Sequence, residues 1–321
     1  MSSKNDSSLK KSIKTKAKEL GFDLVGICKA EYSPENHNYL LEWLSKGYHG
    51  DMDYMSRKPR LRSDPSLFLE GARSVVSVAM SYYKKPGYHK DKPYISIYAR
   101  GKPYQKVLKD RLKALLEYIK TIKPDVKGKI AVDTSPTFDK LWAEKAGLGW
   151  RGKNTLLINK NLGSFLFLGE LFLNIEIEPD EPVKNLCAAP DSRLADCRKC
   201  LDSCPTGALE QPNQLNASKC ISYLTIETKS RLENPELIGN HILGCDICQL
   251  VCPFNKNIPA TKTSEFMQSE HFYERPIKNG HNLTESEFYH KYSGTIIDEY
   301  GFYRYVNNMR MVKRNINTFK S

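Results

Sequence analysis

No apolar run in this chain is long enough to cross a bilayer, and the first dozen residues, MSSKNDSSLKKS, are polar and charged where a secretory signal needs an apolar core. Membrane insertion and export are therefore not expected, and the protein is expected in the cytoplasm. Internal repeats and low-complexity tracts are also absent, which argues against a solenoid or a disordered scaffold. Acidic residues are in deficit: 37 Asp and Glu face 49 Lys and Arg, a net charge of +12. Such an excess suits a polyanionic partner, because phosphate neutralisation supplies much of nucleic-acid affinity. It is dispersed, however, with concentrations at residues 56–62, at 106–113 and in the RMVKR run near the C-terminal end, and solvated basic faces are common. A length of 321 residues suits one large domain and a smaller one.

Cysteine is the residue whose distribution is informative. Eight of the nine lie between Cys187 and Cys252, and two segments, CRKCLDSCP and GCDICQLVCP, repeat a CxxCxxxCP spacing. This is the ligand pattern of two iron–sulfur clusters, in which the last cysteine of each run crosses to the other run's cluster; zinc ligation and disulfides are the rival uses of such cysteines. The pattern departs at its front, where Leu194 occupies the position of a further cysteine. Cys187, upstream across a polar loop containing Pro190, is the displaced ligand on one reading. On the other, Cys197, Cys200 and Cys252 hold a three-ligand cluster. With Cys187 included, the crossed rule assigns Cys187, Cys197, Cys200 and Cys252 to the first cluster and Cys204, Cys220, Cys245 and Cys248 to the second. Cys28, in the apolar run FDLVGIC, reads as a buried small hydrophobe.

Along the chain, helical and strand patterns alternate. Residues 8–20 form a helix ended by Gly21, FDLVGIC is a strand, NYLLEWLSKG a helix, 56–66 a basic loop and SVVSVAMSYY a strand. QKVLKDRLKALLEYIK, with apolar residues at helical spacing, is followed by strand GKIAVD, helix FDKLWAEKAG and the strand-like runs TLLIN and SFLFLGELFLNI. The expected architecture is α/β or α+β: an α/β domain over residues 1–182, a ferredoxin-like two-cluster domain over 183–257, and a C-terminal extension over 258–321, the least readable part.

The segments VDTSPTFDKLWAEKAGLGWRGKNTLLIN, GSFLFLGELFL, CISYLTIE and GCDICQLVCPFN, in that order between residues 132 and 255, resemble those of the epoxyqueuosine reductases, and the resemblance runs from roughly residue 10 to 257. The resemblance implies an oxidoreductase that uses cobalamin and two [4Fe–4S] clusters to reduce epoxyqueuosine to queuosine at the wobble position of tRNA. It further implies a monomer fed by an external one-electron donor such as flavodoxin or ferredoxin, with the clusters in series. Deoxygenating an epoxide needs two electrons and protonation of the departing oxygen, so a low-potential cofactor must bridge one-electron clusters to the substrate. The family's acid maps onto Asp133 in VDTSP, a carboxyl that burial would have to keep protonated near neutrality. The same residue also reads as an ordinary helix N-cap. Cofactor contacts map onto Arg57, Tyr104, Lys153, Asn154 and Thr155, with Tyr223 and Glu227 one helical turn apart at a corrin or base edge, and Asp246 where the second cluster meets the cofactor.

Two stretches depart from the family. Where it has YAxGxDYH this chain has YARGKPYQ, keeping Tyr104 but placing Pro103 and Gln105 at the Asp and His positions. The end of the chain is only loosely similar and has no room for the helical-repeat domain of longer members; Tyr303, Arg304 and the RMVKR run suit either tRNA contact or an ordinary surface helix. Two other functions stay open on the residues: a cobalamin-dependent small-molecule reductase of the dehalogenase kind, and a ferredoxin-type electron carrier.

Overall fold

A computed structural model describes residues 2–230, 232–267 and 283–318, with side chains from residue 8 onward. Helix α1 (Ser2–Glu19) turns into strand β1 (Leu24–Lys29), followed by α2 (Pro34–Ser45), β2 (Ser74–Ser81), the short β3 (Tyr94–Ile95), α3 (Tyr104–Ile122), β4 (Gly128–Ala131), α4 (Asp139–Lys145), β5 (Trp150–Arg151), β6 (Leu157–Ile158) and β7 (Leu166–Leu173). The main sheet runs β1-β2-β7-β4, and every neighbouring pair is antiparallel. The N-terminal part is thus α+β rather than built of parallel crossovers.

β2 is buried along its whole length because both faces of the sheet are covered. Side chains of a strand alternate between faces. Val76, Val78 and Met80 accordingly pack with Ile13 and Ala17 of α1 and with Leu108, Leu112 and Leu115 of α3, while Val75 and Ala79 pack with Leu141 and Trp142 of α4. The α3 leucines recur at helical spacing, and each such burial contributes about 1.5–3 kcal/mol. Gly26 lets the Ala146 carbonyl lie against β1, where a Cβ would collide with it. Cys28 is buried on the α4 face, its Sγ 3.7 Å from the Trp142 carbonyl.

The cysteine-bearing loops follow, with α5 (Ile221–Ile226) and β8 (His241–Leu243) between them, then α6 (Glu285–Tyr292), α7 (Ile296–Tyr300) and α8 (Phe302–Thr318). β8 pairs in parallel with β3, tying the two halves together. One apolar cluster joins Ile221, Ile242 and Leu243 to Phe288, Tyr292, Tyr305 and Met309. The described part of residues 258–321 is therefore no appendage: it closes the core of the cluster-bearing segment. Its asparagines serve the same joint, Asn308 donating to the Thr225 and Ile242 carbonyls, both at 2.8 Å, and Asn315 to those of Pro235 and Gly239. Among the described residues no helix is long and apolar enough to cross a membrane.

Candidate active site

Where β4 ends, the chain turns sharply through Asp133, whose φ of 51° lies in the left-handed region that costs a non-glycine residue about 1 kcal/mol or more. The following helix α4 starts at an N-cap of Phe138 with no side-chain cap. Asp133 is therefore not the helix cap. It is exposed at the rim of a cavity of about 170 Å³ whose walls include Tyr82, Tyr104, Leu157, Phe167 and Asp139. The burial expected to keep this carboxyl protonated is absent from Asp133 and falls on other acids behind it.

Neighbours from three elements converge on Asp133. Gln105 Nε2 donates to its Oδ2 at 3.0 Å. Tyr104 stacks on Phe167, rings 4.0 Å apart and 3° from parallel, and burial, then the nearby Asp133 charge, push its hydroxyl far up. Burial and the charges of Glu227 and Asp133 push the Tyr54 hydroxyl up to about 12. Tyr300 from α7, hydrogen-bonded to the Tyr98 hydroxyl at 3.0 Å, is likewise raised to about 12 by burial, with Asp133, Glu227 and Glu299 adding to it. Arg62 is buried beside this group and donates to the Tyr54 carbonyl at 2.8 Å. The result is a cleft rich in acids and phenols; Tyr104 forms part of its wall, and the Glu227 charge acts on Tyr54 and Tyr300.

The other six anticipated cofactor contacts are not among the walls of the Asp133 cavity. Lys153 donates to the carbonyls of Ala195 and, at 3.0 Å, Cys197, and Asn154 donates to the Cys248 carbonyl at 3.5 Å. These two side chains bind the cysteine loops to the main domain instead of facing a flat ligand. The Tyr223 hydroxyl accepts from the Asp51 amide at 2.7 Å and packs under Gly50, so it fastens the 47–53 loop rather than presenting an edge. Asp246 is 1% exposed and accepts from Tyr94 Oη, Ser96 Oγ and the Ile97 amide at 2.9, 2.6 and 2.8 Å. It is a buried joint between the second cysteine run and β3. Thr155, at φ 68°, shapes the turn before β6, and Arg57 is exposed near Lys229, outside the walls of the Asp133 cavity.

The four cysteines assigned to the first cluster lie together. Cys187, Cys197, Cys200 and Cys252 line one small cavity together with Leu194. The Trp150 indole donates to Cys187 Sγ at 3.4 Å, and the Cys187 amide is held by Asn185 at 2.9 Å, so the loop folds back to deliver that sulfur. Burial, then the charges of Cys187, Cys200 and Cys197, push the Cys252 thiol up to about 11. Cys245 feels Cys220 and Cys204, and Cys248 feels Cys245 and Cys220 and, after them, Cys200 of the first set. None of the nine cysteines is in a disulfide. Among the described residues no three His, Cys, Asp or Glu side chains converge closely enough for a single ion; two sets of four sulfurs standing further apart have the donor number and softness of cubane iron–sulfur ligation. Tyr54, Arg62, Asp139, Glu170 and Tyr300 were not singled out in the sequence. Only Glu170 left a signal there, as the one charge inside the apolar run SFLFLGELFL.

A family model described as "4Fe-4S double cluster binding domain" matches residues 195–255, and one described as "Epoxyqueuosine reductase QueG, DUF1730" matches residues 62–134. The epoxyqueuosine reductase of Leadbetterella byssophila is 40% identical over 309 residues, covering 95% of this chain and 96% of that protein. That of Escherichia coli is 37% identical over 315 residues, covering 96% and 81%. Among solved structures, an epoxyqueuosine reductase with an epoxyqueuosine-modified tRNA-Tyr stem loop superposes with a TM-score of 0.86 at 31% identity, covering 97% of this chain and 82% of that one. The Bacillus subtilis enzyme, with its catalytic loop swung out of the active site, has a TM-score of 0.86 at 30% identity, with the same shares of each chain covered.

Proposed function

The chain belongs to the epoxyqueuosine reductase family, and we propose that it reduces epoxyqueuosine to queuosine in tRNA with Asp133 as the acid that protonates the departing oxygen. The observation that carries this reading is Asp133 itself, held in a strained turn at the rim of a cavity, beside Tyr104 and Gln105 and within the same fold as the two sets of four thiols. The reaction breaks both C–O bonds of the epoxide, forms an alkene and releases the oxygen as water, consuming two electrons and two protons.

The eight cysteines would hold two [4Fe–4S] clusters, which supply electrons singly from a donor of the flavodoxin or ferredoxin class. Cobalamin would rest over the mouth of the Asp133 cavity rather than within its volume of about 170 Å³, with Leu156, Leu157, Leu166 and Leu168 offering an apolar wall to one edge of the ring and Asp133 on the rim. When bound, that cofactor supplies a low-potential electron pair next to the substrate. The protein's own residues orient the substrate, exclude water and move protons.

An anticodon loop has a second surface to meet. A groove of about 780 Å³ lies between the end of α5 and α8, lined by Lys229, Tyr289, Tyr303, Arg304, Arg310 and Arg314. Tyr303 is 70% exposed, and basic side chains interleaved with aromatics suit phosphates and unstacked bases. Tyr300, whose hydroxyl feels the Asp133 charge, also lines this groove, and we infer that a loop lying there presents its base toward the acid. The test is anaerobic reductant consumption by the cluster-loaded protein with cobalamin. Consumption that starts on adding epoxyqueuosine-bearing tRNA, and not with queuosine-bearing tRNA, supports the reading. Consumption indifferent to the tRNA contradicts it.

A further inference from the structure

The reduction proposed above, on which this inference rests, takes two protons, and Asp133 carries only one. Behind it lie two carboxyl groups with no part yet in the chemistry. Glu170 stands in the middle of the sheet, opposite Ser77 of β2 and Ala131 of β4. None of its surface is exposed, and neither of its oxygens has a regular hydrogen-bond partner among the described residues; the buried Ser77 hydroxyl beside it lacks one too. Strand alternation turns Glu170 to the α4 face, the side on which Asp139 opens α4, and each carboxyl acts on the other's affinity for a proton. Asp139 also accepts from Thr137 Oγ1 at 3.0 Å and forms part of the wall of the cavity that Asp133 rims.

Charge around the pair is insufficient to keep both acids ionised. Lys140 and, more weakly, Arg62 are the cations that act on Asp139, and Asp133 and Tyr104 are its other titratable neighbours. Among the described residues, Asp139 and the Cys28 thiol are the titratable groups that face Glu170, and neither is a cation. A carboxylate buried in the sheet beside a half-buried one repels it, and the Glu170 lone pairs are left unsatisfied; a single proton between the two relieves both costs through an O–H···O bond. Burial first pushes both groups up; the Asp139 charge raises Glu170 further, while Asp139 is raised further by Asp133 and drawn back down by the Thr137 hydroxyl, Lys140 and its hydrogen bond with Glu170.

We propose that Asp139 and Glu170 share one proton and serve as the proton store that recharges Asp133. After Asp133 gives its proton to the departing oxygen, the shared proton passes from Asp139 to Asp133 through the cavity, leaving both members of the pair ionised. That state is disfavoured in the sheet, so a solvent proton entering through the cavity restores the pair. Only O–H bonds are made and broken, and both protons of the turnover come ultimately from water. Asp139 and Glu170 act through Asp133 and touch no substrate.

Infrared difference spectroscopy on the iron-loaded protein without substrate tests the shared proton directly. Wild type minus Glu170→Gln, and wild type minus Asp139→Asn, should each show at neutral pH the C=O band of a protonated carboxyl, lost as the pH is raised. Absence of that band from both differences overturns the proposal. If a variant fails to fold, the pH-difference spectrum of the wild type decides: a carboxyl that releases its proton above neutrality is required. In turnover, Glu170→Gln should lose activity about tenfold above neutral pH and recover in acid, where solvent recharges Asp133. A variant profile parallel to wild type refutes the store while leaving the reaction intact. A wild type that does not reduce epoxyqueuosine removes the functional reading, and the spectra still decide the pair.

Discussion

Gln105 Nε2 donates to Asp133 Oδ2 at 3.0 Å and so ties the first turn of α3 to the strained residue that leaves β4. Gln105 occupies the position where family members have histidine, and an amide can orient a carboxyl without exchanging a proton with it. This separates orientation from proton supply in this chain. Gln105→Ala should therefore slow single turnover about tenfold, the worth of one hydrogen bond to a charged group, with cluster content unchanged. Rapid-quench assays with tRNA check it, and an unchanged rate means that the bond does not orient the acid.

Cys187 lies ten residues before Cys197 in the sequence, yet its sulfur meets the Trp150 indole and shares a cavity with Cys197, Cys200 and Cys252. Cys187→Ala should lower iron content or convert the first cluster to a three-iron form with its distinct paramagnetic resonance signal, sparing the second. Unaltered iron and spectra would make Cys187 a bystander.

Asp246, between two cluster cysteines, accepts from three donors of the segment around β3. Asp246→Ala strands those donors in the interior and should cost about 3 kcal/mol, read as a lower denaturation midpoint. Asp246→Asn, which keeps one acceptor oxygen, should cost less. Equal stability in all three proteins would contradict the joint.

Glu170 gives stability a pH dependence of known sign. Its folded-state affinity for a proton is raised above that of the unfolded chain, first by burial and then by Asp139, so the native state binds more protons than the unfolded state in the interval between the two. That contribution is complete below about pH 4, the unfolded value for glutamate, and is lost as pH climbs toward the raised folded value. Glu170→Gln removes the effect. Denaturant midpoints between about pH 5 and about pH 8 should fall more steeply for wild type than for the variant; parallel curves would contradict the assignment.

How much of this was legible in the sequence follows from range. The cluster ligands could be read because CxxC places two sulfurs on one turn, and eight thiols make two sets only if Cys187 is counted. The helices of the first half could be read from leucine spacing such as Leu108, Leu112 and Leu115. Strand order could not: the antiparallel pairing of β7 with both β2 and β4 is set by contacts far apart in sequence. Lys153 and Asn154 were legible as special but not as braces for the cysteine loops, since their partners are Cys197 and Cys248 carbonyls. α8 looked like a polar surface because Asn308 and Asn315 interrupt its apolar face, and only the tertiary structure shows them capping buried carbonyls. The charge of Glu170 within an apolar strand was visible; its meaning depends on Asp139, which the fold brings to it.

The claim on which the rest depends is that Asp133 protonates the oxygen lost from the tRNA base. Nucleoside mass spectrometry on epoxyqueuosine-bearing tRNA, incubated anaerobically with reduced wild type or Asp133→Asn, each carrying clusters and cobalamin, measures it. The account predicts conversion to queuosine by the wild type and a loss of rate of about a hundredfold or more in the variant, with spectra of both cofactors retained. Conversion by Asp133→Asn at the wild-type rate, or intact epoxyqueuosine with the loaded wild type, would contradict it.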